Sequence, residues 1–341
     1  MPATAQMARA RSRLARALRD GLEARGYLEA ETPIAVPFAG QEPHLRPFET
    51  IFTPDLPSDV EGARRLHLHT SPEYAMKRLL AREGFSRCYQ LARVFRDGEA
   101  SAAHNPEFTL LELYAAPGDA TAIMADLEQL IAEGARAING RAQAPGRRRP
   151  IDLEPPFERL TCREAFSRHA GFDPLPLDAE ALAQAARTTG VRTSPGASWD
   201  DLFTQLLIDK VEPSLGIEKP TYLTDYPASQ AALARIKPGG VADRFELYAG
   251  GLELANGFSE LNDSSEQRKR LEAEQRQRAA LGREVFPLDE KFLAALDRMP
   301  DAGGVAVGFD RLLMLLSGAR TIAEVLLFPA AEEYPAARRA K

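Results

Sequence analysis

"HNPEFTLLELY", residues 104–114, places a histidine, an asparagine, a proline and two glutamates among apolar residues that alternate as in a strand. Side chains two apart on a strand share a face, so Glu112 and Tyr114 point the same way. A buried carboxylate without a partner is costly, and this pair therefore asks for a ligand. Upstream, "CYQLARVF" (88–95) reads as a second strand and residues 97–106 as the connecting loop. Arg96 then sits at the end of the first strand, His104 lies in the loop, and Phe108 opens the second strand.

Outward from this unit, Leu14, Leu18 and Leu22 recur at i, i+4, i+8, and Gly26 follows where a helix stops, which predicts an amphipathic helix over about 8–25. "YLEAETPIAVP" (27–37) is extended and punctuated by prolines. In "RLHLHTSPEYAMKRLLA" (65–81) a period-2 stretch gives way to a helix, with Ser71 as N-cap, Pro72 as first helical residue and Glu73 in the first turn. The stretch from about 120 to 215 reads as a helical insertion, with further helices near 178–188 and 199–212 and a capping box at Thr161 and Glu164. "RFELYAGGLELANGFSEL" (244–261) is a hairpin around Gly250 and Gly251, a charged helix follows at about 263–282, and "GGVAVGFDRLLMLLSG" (303–318) runs from a glycine-rich strand into a helix. Residues 331–341 form a C-terminal tail.

The chain has 341 residues, of which 44% are hydrophobic, enough for one large domain or two modest ones. Its net charge of -6 argues against gripping nucleic acid through an overall basic field. Two cysteines, Cys88 and Cys162, are too few for a disulfide framework and read as packing residues. No run reaches the ~18 apolar residues of a membrane span, so the expectation is a soluble, cytoplasmic protein. His67 and His69, two apart on a strand with no third ligand nearby, read as structural. The run Arg147–Arg149 reads as a solvated loop.

If Ala249 and Gly250 form a two-residue turn, Glu246 faces Glu253, and like charges across strands repel. A divalent cation would offset that repulsion, and magnesium commonly takes one or two carboxylates plus substrate phosphates. The other reading is a solvated sheet face. Arg96, His104 and Arg311 together suit a polyanion such as a nucleotide, whose charge guanidinium groups bind bidentately. Phe108 could stack a base, and Gly303, Gly304 and Gly308 could admit a nucleotide to the backbone without a Walker or dinucleotide-fold signature. Glu73, Glu112 and Glu260, with Tyr114 and Asn256, make an acid-lined pocket that selects an amine.

These segments together resemble the catalytic domain of class II lysyl-tRNA synthetases over nearly the whole chain, and more closely the free-standing elongation factor P lysine ligases. "GYLEAETPIAVP" is similar to motif 1, "FRDGEASAAHNPEFTLLELY" to motif 2 and "GVAVGFDRLLMLLSGARTIAEVLLFP" to motif 3, while "TSPEYAMKRLL" and "ELANGFSELND" match the lysine-family signatures. The resemblance implies an α+β fold, an antiparallel β-sheet flanked by helices, spanning residues 1–330 with the insertion at about 120–215, and a homodimer formed around motif 1. It implies ATP held by Arg96, Asp97, Gly98, Glu99, His104, Asn105, Phe108, Glu246, Leu247, Gly308 and Arg311, with Arg96 on the α-phosphate and adenine between Phe108 and Arg311. Mg2+ would be held by Glu246 and Glu253, and the catalytic set would be Arg96, Glu253 and Arg311. The amino acid, (R)-β-lysine or lysine, would be recognised by Ser71, Pro72, Glu73, Glu112, Tyr114, Asn256, Phe258, Glu260 and Ala306.

The sequence departs from the family pattern in three places. Gly98 stands where motif 2 usually has a glutamate, with Glu99 next to it, and Ala103 replaces a loop arginine common among synthetases. Ala306 stands where lysyl-tRNA synthetases have glycine, an alanine shared with the ligases, and its methyl favours a β-amino substrate. A lysyl-tRNA synthetase carries an anticodon-binding OB domain ahead of motif 1, whereas here the motif 1 helix opens near residue 8. The expected acceptor is therefore a protein, elongation factor P, with no anticodon recognition. Two other readings stand beside it: a truncated lysyl-tRNA synthetase paralogue serving tRNA or a small molecule, and a non-catalytic binding protein derived from a synthetase.

Overall fold

Helix α1 (Ala5–Ala24) begins at Thr4, whose side chain accepts a hydrogen bond from the Met7 amide, and turns Leu14, Leu18 and Leu22 inward. The computed structural model describes residues 3–53, 64–146, 149–194 and 196–334. After α1 come β1 (Leu28–Glu29), β2 (Ala35–Val36), β3 (Glu49–Phe52), β4 (Arg64–Leu68) and α2 (Glu73–Leu80). The strand–loop–strand unit is β5 (Arg87–Phe95) and β6 (Glu107–Ala115), followed by α3 (Ala120–Asn139), β7 (Gln143–Ala144), β8 (Ile151–Asp152) and β9 (Glu158–Thr161). Then follow α4 (Cys162–His169), α5 (Ala179–Thr188), α6 (Trp199–Leu206), β10 (Thr221–Pro227), β11 (Ile236–Lys237), β12 (Val241–Ala249), β13 (Leu252–Ser259), α7 (Ser264–Ala280), α8 (Glu290–Leu296), β14 (Gly303–Gly308), α9 (Phe309–Ser317) and α10 (Ala330–Glu333).

The large sheet runs β1-β5-β6-β14-β13-β12-β10-β9, with β11 paired to β12. Its central strands are antiparallel, and β1 and β9 join the two ends in parallel. Leu111, Leu113, Val305, Val307, Phe245 and Leu247 project from one face into a core shared with α1, α3 and α9. Each fully buried aliphatic or aromatic side chain there contributes ~1.5–3 kcal/mol, so this face holds the sheet in place. The opposite face is free to carry polar chemistry.

The segment 120–215 is less purely helical than its sequence suggests. α3 belongs to the main core, packed on α1, and β7, β8 and β9 interrupt the helices. A second apolar cluster joins α4, α5 and α6 to Leu223, Tyr226, Ala242 and Tyr248. The Thr161–Glu164 capping box is present at the start of α4. Of the Arg147–Arg149 run, Arg147 and Arg148 lie outside the described residues, as does 335–341 of the tail, and Arg149 pairs with Glu218. Among the described residues no helix is long and apolar enough to cross a membrane.

Candidate active site

Pairing across the sheet aligns residues that are far apart in sequence. One transverse row is Glu112 on β6, Ala306 on β14, Asn256 on β13 and Glu246 on β12. The next is Tyr114, Gly304, Phe258 and Arg244. The small residues sit on β14 for a reason: a Cβ at Gly304 would lie 2.1 Å from Glu260 Oε1 and 2.4 Å from the Tyr114 ring. These rows and the elements around them enclose a cavity of about 340 Å3, a typical volume for a small-molecule site. Ser71, Glu73, Arg96, Glu99, His104, Asn105, Phe108, Glu112, Glu253, Asn256, Phe258, Ala306, Gly308 and Arg311 all line it.

At one end the charges are acidic. Glu112 is fully buried, accepts from Ser71 Oγ at 2.6 Å and from Tyr114 Oη at 3.0 Å, and is pushed up to about 8 by burial and then by Glu73. Glu73 and Glu260 are bridged by Lys77, whose Nζ lies 2.6 Å from each. Lys77 and Glu260 are each only 1% exposed. Burial opposes the Lys77 charge, but Glu260 and Glu73 together hold its pKa above the ordinary lysine value. Burial also raises Glu260, against the pull of Lys77. Glu73 and Glu260 thus share one internal ammonium while Glu112 has only hydroxyl donors, which leaves this end short of positive charge.

At the other end arginines and carboxylates interleave. Arg311 donates to the Glu253 carbonyl at 2.9 Å and its carboxylate at 3.3 Å, and lies 2.7 Å from His104 Nε2. Burial and then Arg311 lower the His104 pKa, so the ring is neutral and can accept. Arg96 lies over the Phe108 ring at 5.1 Å and 3.7 Å from Glu99. Glu246 accepts from Tyr226 and Tyr248 hydroxyls at 2.6 and 2.5 Å and from Arg244 at 2.5 Å. Burial and then Glu246 raise Glu253, and the same two causes push Glu212 up to about 7.

Several sequence expectations are corrected. Glu246 does not face Glu253. The hairpin turns at Gly250 and Gly251, both with positive φ, and a bulge at Leu247/Tyr248 pairs Glu246 with Asn256 and Glu253 with Tyr248. The two carboxylates still feel each other, through space and not as a cross-strand pair. Ser71 is not the N-cap; Pro72 occupies that position, and Ser71 Oγ accepts the Glu73 amide at 3.0 Å from one residue further out. Phe108 carries Arg96 over its ring at 5.1 Å, and both Phe108 and Arg311 line the cavity.

Some expected residues stand back from the cavity. Asp97 pairs with Arg46 at 2.6 Å, Gly98 makes a positive-φ turn that brings Glu99 to the wall, and the Leu247 side chain lies in the core on the other face. Tyr114, Glu246 and Glu260 act from behind the lining side chains, while Pro72 lines a neighbouring cavity of about 100 Å3. The Asn105 amide is held by the Glu107 carbonyl at 2.7 Å and the Ala330 amide at 2.9 Å, which fixes the loop. Lys77, Arg244, Tyr226 and Tyr248 were not expected in the site. Only Lys77 carried a signal, its i+4 spacing from Glu73.

A family model for class II tRNA synthetases (D, K and N) matches residues 1–332. The chain belongs to that family. It is 42% identical over 310 residues to the elongation factor P--(R)-beta-lysine ligase of Proteus mirabilis, covering 89% of both chains. The ligase of the same name from Salmonella arizonae is 43% identical over 309 residues, again with 89% of each covered. The lysine--tRNA ligase of Moorella thermoacetica is 40% identical over 333 residues, 96% of this chain and 66% of that protein.

Proposed function

We propose that this ATP-dependent ligase activates (R)-β-lysine, or lysine, as an aminoacyl-adenylate and transfers it to the ε-amine of a lysine on elongation factor P. The observation that carries the reading is the acid-rich end of the cavity, where Glu112 stands beside Glu73 and Glu260, which share Lys77, with Arg96 and Arg311 lining the same cavity. The names of the ligases at 42–43% identity point to the same substrate and acceptor. The cavity also keeps Ala306 in the row between Glu112 and Asn256, where a methyl group shapes the amino-acid end.

In the first step the substrate carboxylate attacks the α-phosphorus and pyrophosphate leaves, with Arg96 and Arg311 placed for the charge that builds on phosphorus. His104 positions Arg311 by accepting its hydrogen bond. Glu253, partly exposed and raised by its partial burial and then by its neighbour Glu246, and the buried Glu246 would suit magnesium held by two carboxylates and the phosphates. When bound, the ion neutralises triphosphate charge. In the second step the acceptor amine attacks the adenylate carbonyl and AMP leaves. Leu28, Ile34, Ile51 and Phe52, in and around the motif 1 segment and β3, are exposed apolar side chains and support a homodimer there. Its place of action would be the cytoplasm.

Intact-mass measurement of elongation factor P after incubation with the protein, ATP, magnesium and each lysine isomer tests the proposal. A gain of one lysyl group is expected, and an unmodified acceptor would refute it. The 40% identity to a lysine--tRNA ligase favours tRNA as the other acceptor, and tRNA in place of the protein in the same assay separates the two.

A further inference from the structure

Two carboxylates on the cavity wall are used by neither end. Glu42, in the loop between β2 and β3, and Glu274, on α7, line the same 340 Å3 space as Glu73 and Arg96. Among the described residues neither enters an ion pair, and Oε2 of Glu42 is sealed from solvent with no hydrogen-bond partner. Two of the basic groups whose charge reaches them are committed elsewhere. Arg278 donates to the carbonyls of Glu42, Leu45 and Glu284, and Arg270 to Glu266 and the carbonyls of Ala232 and Ala234.

Burial biases both groups upward: Glu274 is pushed up to about 8 by burial, then Glu42 and Glu73, and Glu42 is raised by burial, with Glu73 adding to it against a hydrogen bond from its own backbone. Arg278 pulls both back, with Arg96 acting on Glu42 and Arg270 on Glu274. Leu45, Tyr74, Ala232 and Leu233 line the wall beside them, a sheath that fits methylene groups. An apolar sleeve with unpaired carboxylates at its wall has the chemistry of a receptor for an alkyl ammonium. The amines of the activated amino acid already have Glu73, Glu112 and Glu260.

We infer that Glu42 and Glu274 receive the ε-ammonium of the acceptor lysine and that Glu274 takes its proton before transfer. The inference rests on the proposed function. The proton passes from nitrogen to the carboxylate. The freed lone pair forms the C–N bond at the adenylate carbonyl, the C–O bond to phosphate breaks with its electrons leaving on AMP, and the second proton lost from nitrogen as the amide forms goes to the departing phosphate or to water. No oxidant or further reactant is needed.

The test separates the two half-reactions in Glu274→Gln and Glu42→Gln. ATP–pyrophosphate exchange with (R)-β-lysine reports activation, and single-turnover consumption of the enzyme-bound adenylate by elongation factor P reports transfer. Transfer should fall ~10²-fold more than exchange, in line with loss of a general base. The deficit should shrink as pH rises, because the acceptor then arrives already deprotonated. Glu274→Asp, which keeps the carboxylate, should recover part of the transfer rate and guards against a merely misfolded variant. Equal losses in both half-reactions, or wild-type transfer in the glutamine variants, would overturn the inference. A raised KM for (R)-β-lysine with transfer intact would assign the carboxylates to the amino acid's own amine and overturn it too. Absence of exchange in the unmodified protein would overturn the proposed function along with it.

Discussion

The two faces of the central strands carry opposite physics. On the core face Leu111, Leu113, Val305, Val307, Phe245 and Leu247 meet α1, α3 and α9 with almost no polar atoms. On the cavity face the same strands present Glu112, Tyr114 and Glu246, buried yet charged or polar, with Asn256 and Arg244 partly buried beside them. A single strand therefore alternates between residues that stabilise the fold and residues that cost it stability. The core face has surplus enough to support a site whose carboxylates are held away from water, the usual balance between stability and activity.

Substitutions on each side can break or sharpen that contrast. The largest loss is expected for Lys77→Met, which strands Glu73 and Glu260 without their cation; breaking such a buried pair costs ~3–5 kcal/mol. Urea unfolding measures it, and adding Glu260→Gln should recover part of the loss. On the core face Leu113→Ala should cost ~2–5 kcal/mol through the cavity it leaves, with per-molecule exchange activity little changed at temperatures where the variant is folded. If Leu113→Ala left stability untouched, the division of labour between the faces would be wrong. Arg311→Ala should leave the unfolding midpoint nearly unchanged while slowing ATP–pyrophosphate exchange ~10²–10³-fold, as for loss of a donor to developing charge.

Glu112 sharpens the contrast through pH. Its folded pKa of about 8 lies above the usual carboxylate value of 4.5, so between those values the native state holds a proton that the unfolded chain has lost. Stability from this group is therefore highest below pH 4.5 and declines as pH rises to about 8, by at most ~1.4 kcal/mol per pH unit. Glu112→Gln should remove one proton's worth of that slope and unfold at higher denaturant near pH 8 than the wild-type protein, while losing affinity for lysine. An unchanged slope would place Glu112 in contact with water. The smallest effect is expected for Ala306→Gly, a shift of exchange preference from (R)-β-lysine toward α-lysine within ~10-fold, about 1.4 kcal/mol; unaltered preference would remove the methyl from the specificity argument.

Much of this arrangement was legible because each face has its own sequence period. The leucines of α1, the strand alternation of β6 and the passage from β14 into α9 all follow from local pattern. Glu112 beside Tyr114 followed from period 2 alone. The hairpin register did not, since one bulged residue at Leu247/Tyr248 carries no pattern and moves Glu246 from Glu253 to Asn256. Lys77 in "YAMKRLL" has only Glu73 as a local partner, and the fold brings Glu260 to it from 183 positions away. Glu42 and Glu274 lie in a loop and in a highly charged helix, where acids are ordinary, and only the tertiary wall gives them a role.

The most direct test of the cavity face as an amine receptor is ATP–pyrophosphate exchange with (R)-β-lysine set against an analogue of equal length in which the terminal ammonium is a methyl group. Exchange with the amine and almost none with the methyl analogue is the predicted result. Equal exchange with both would contradict the account, because the acids of that face would then be recognising nothing.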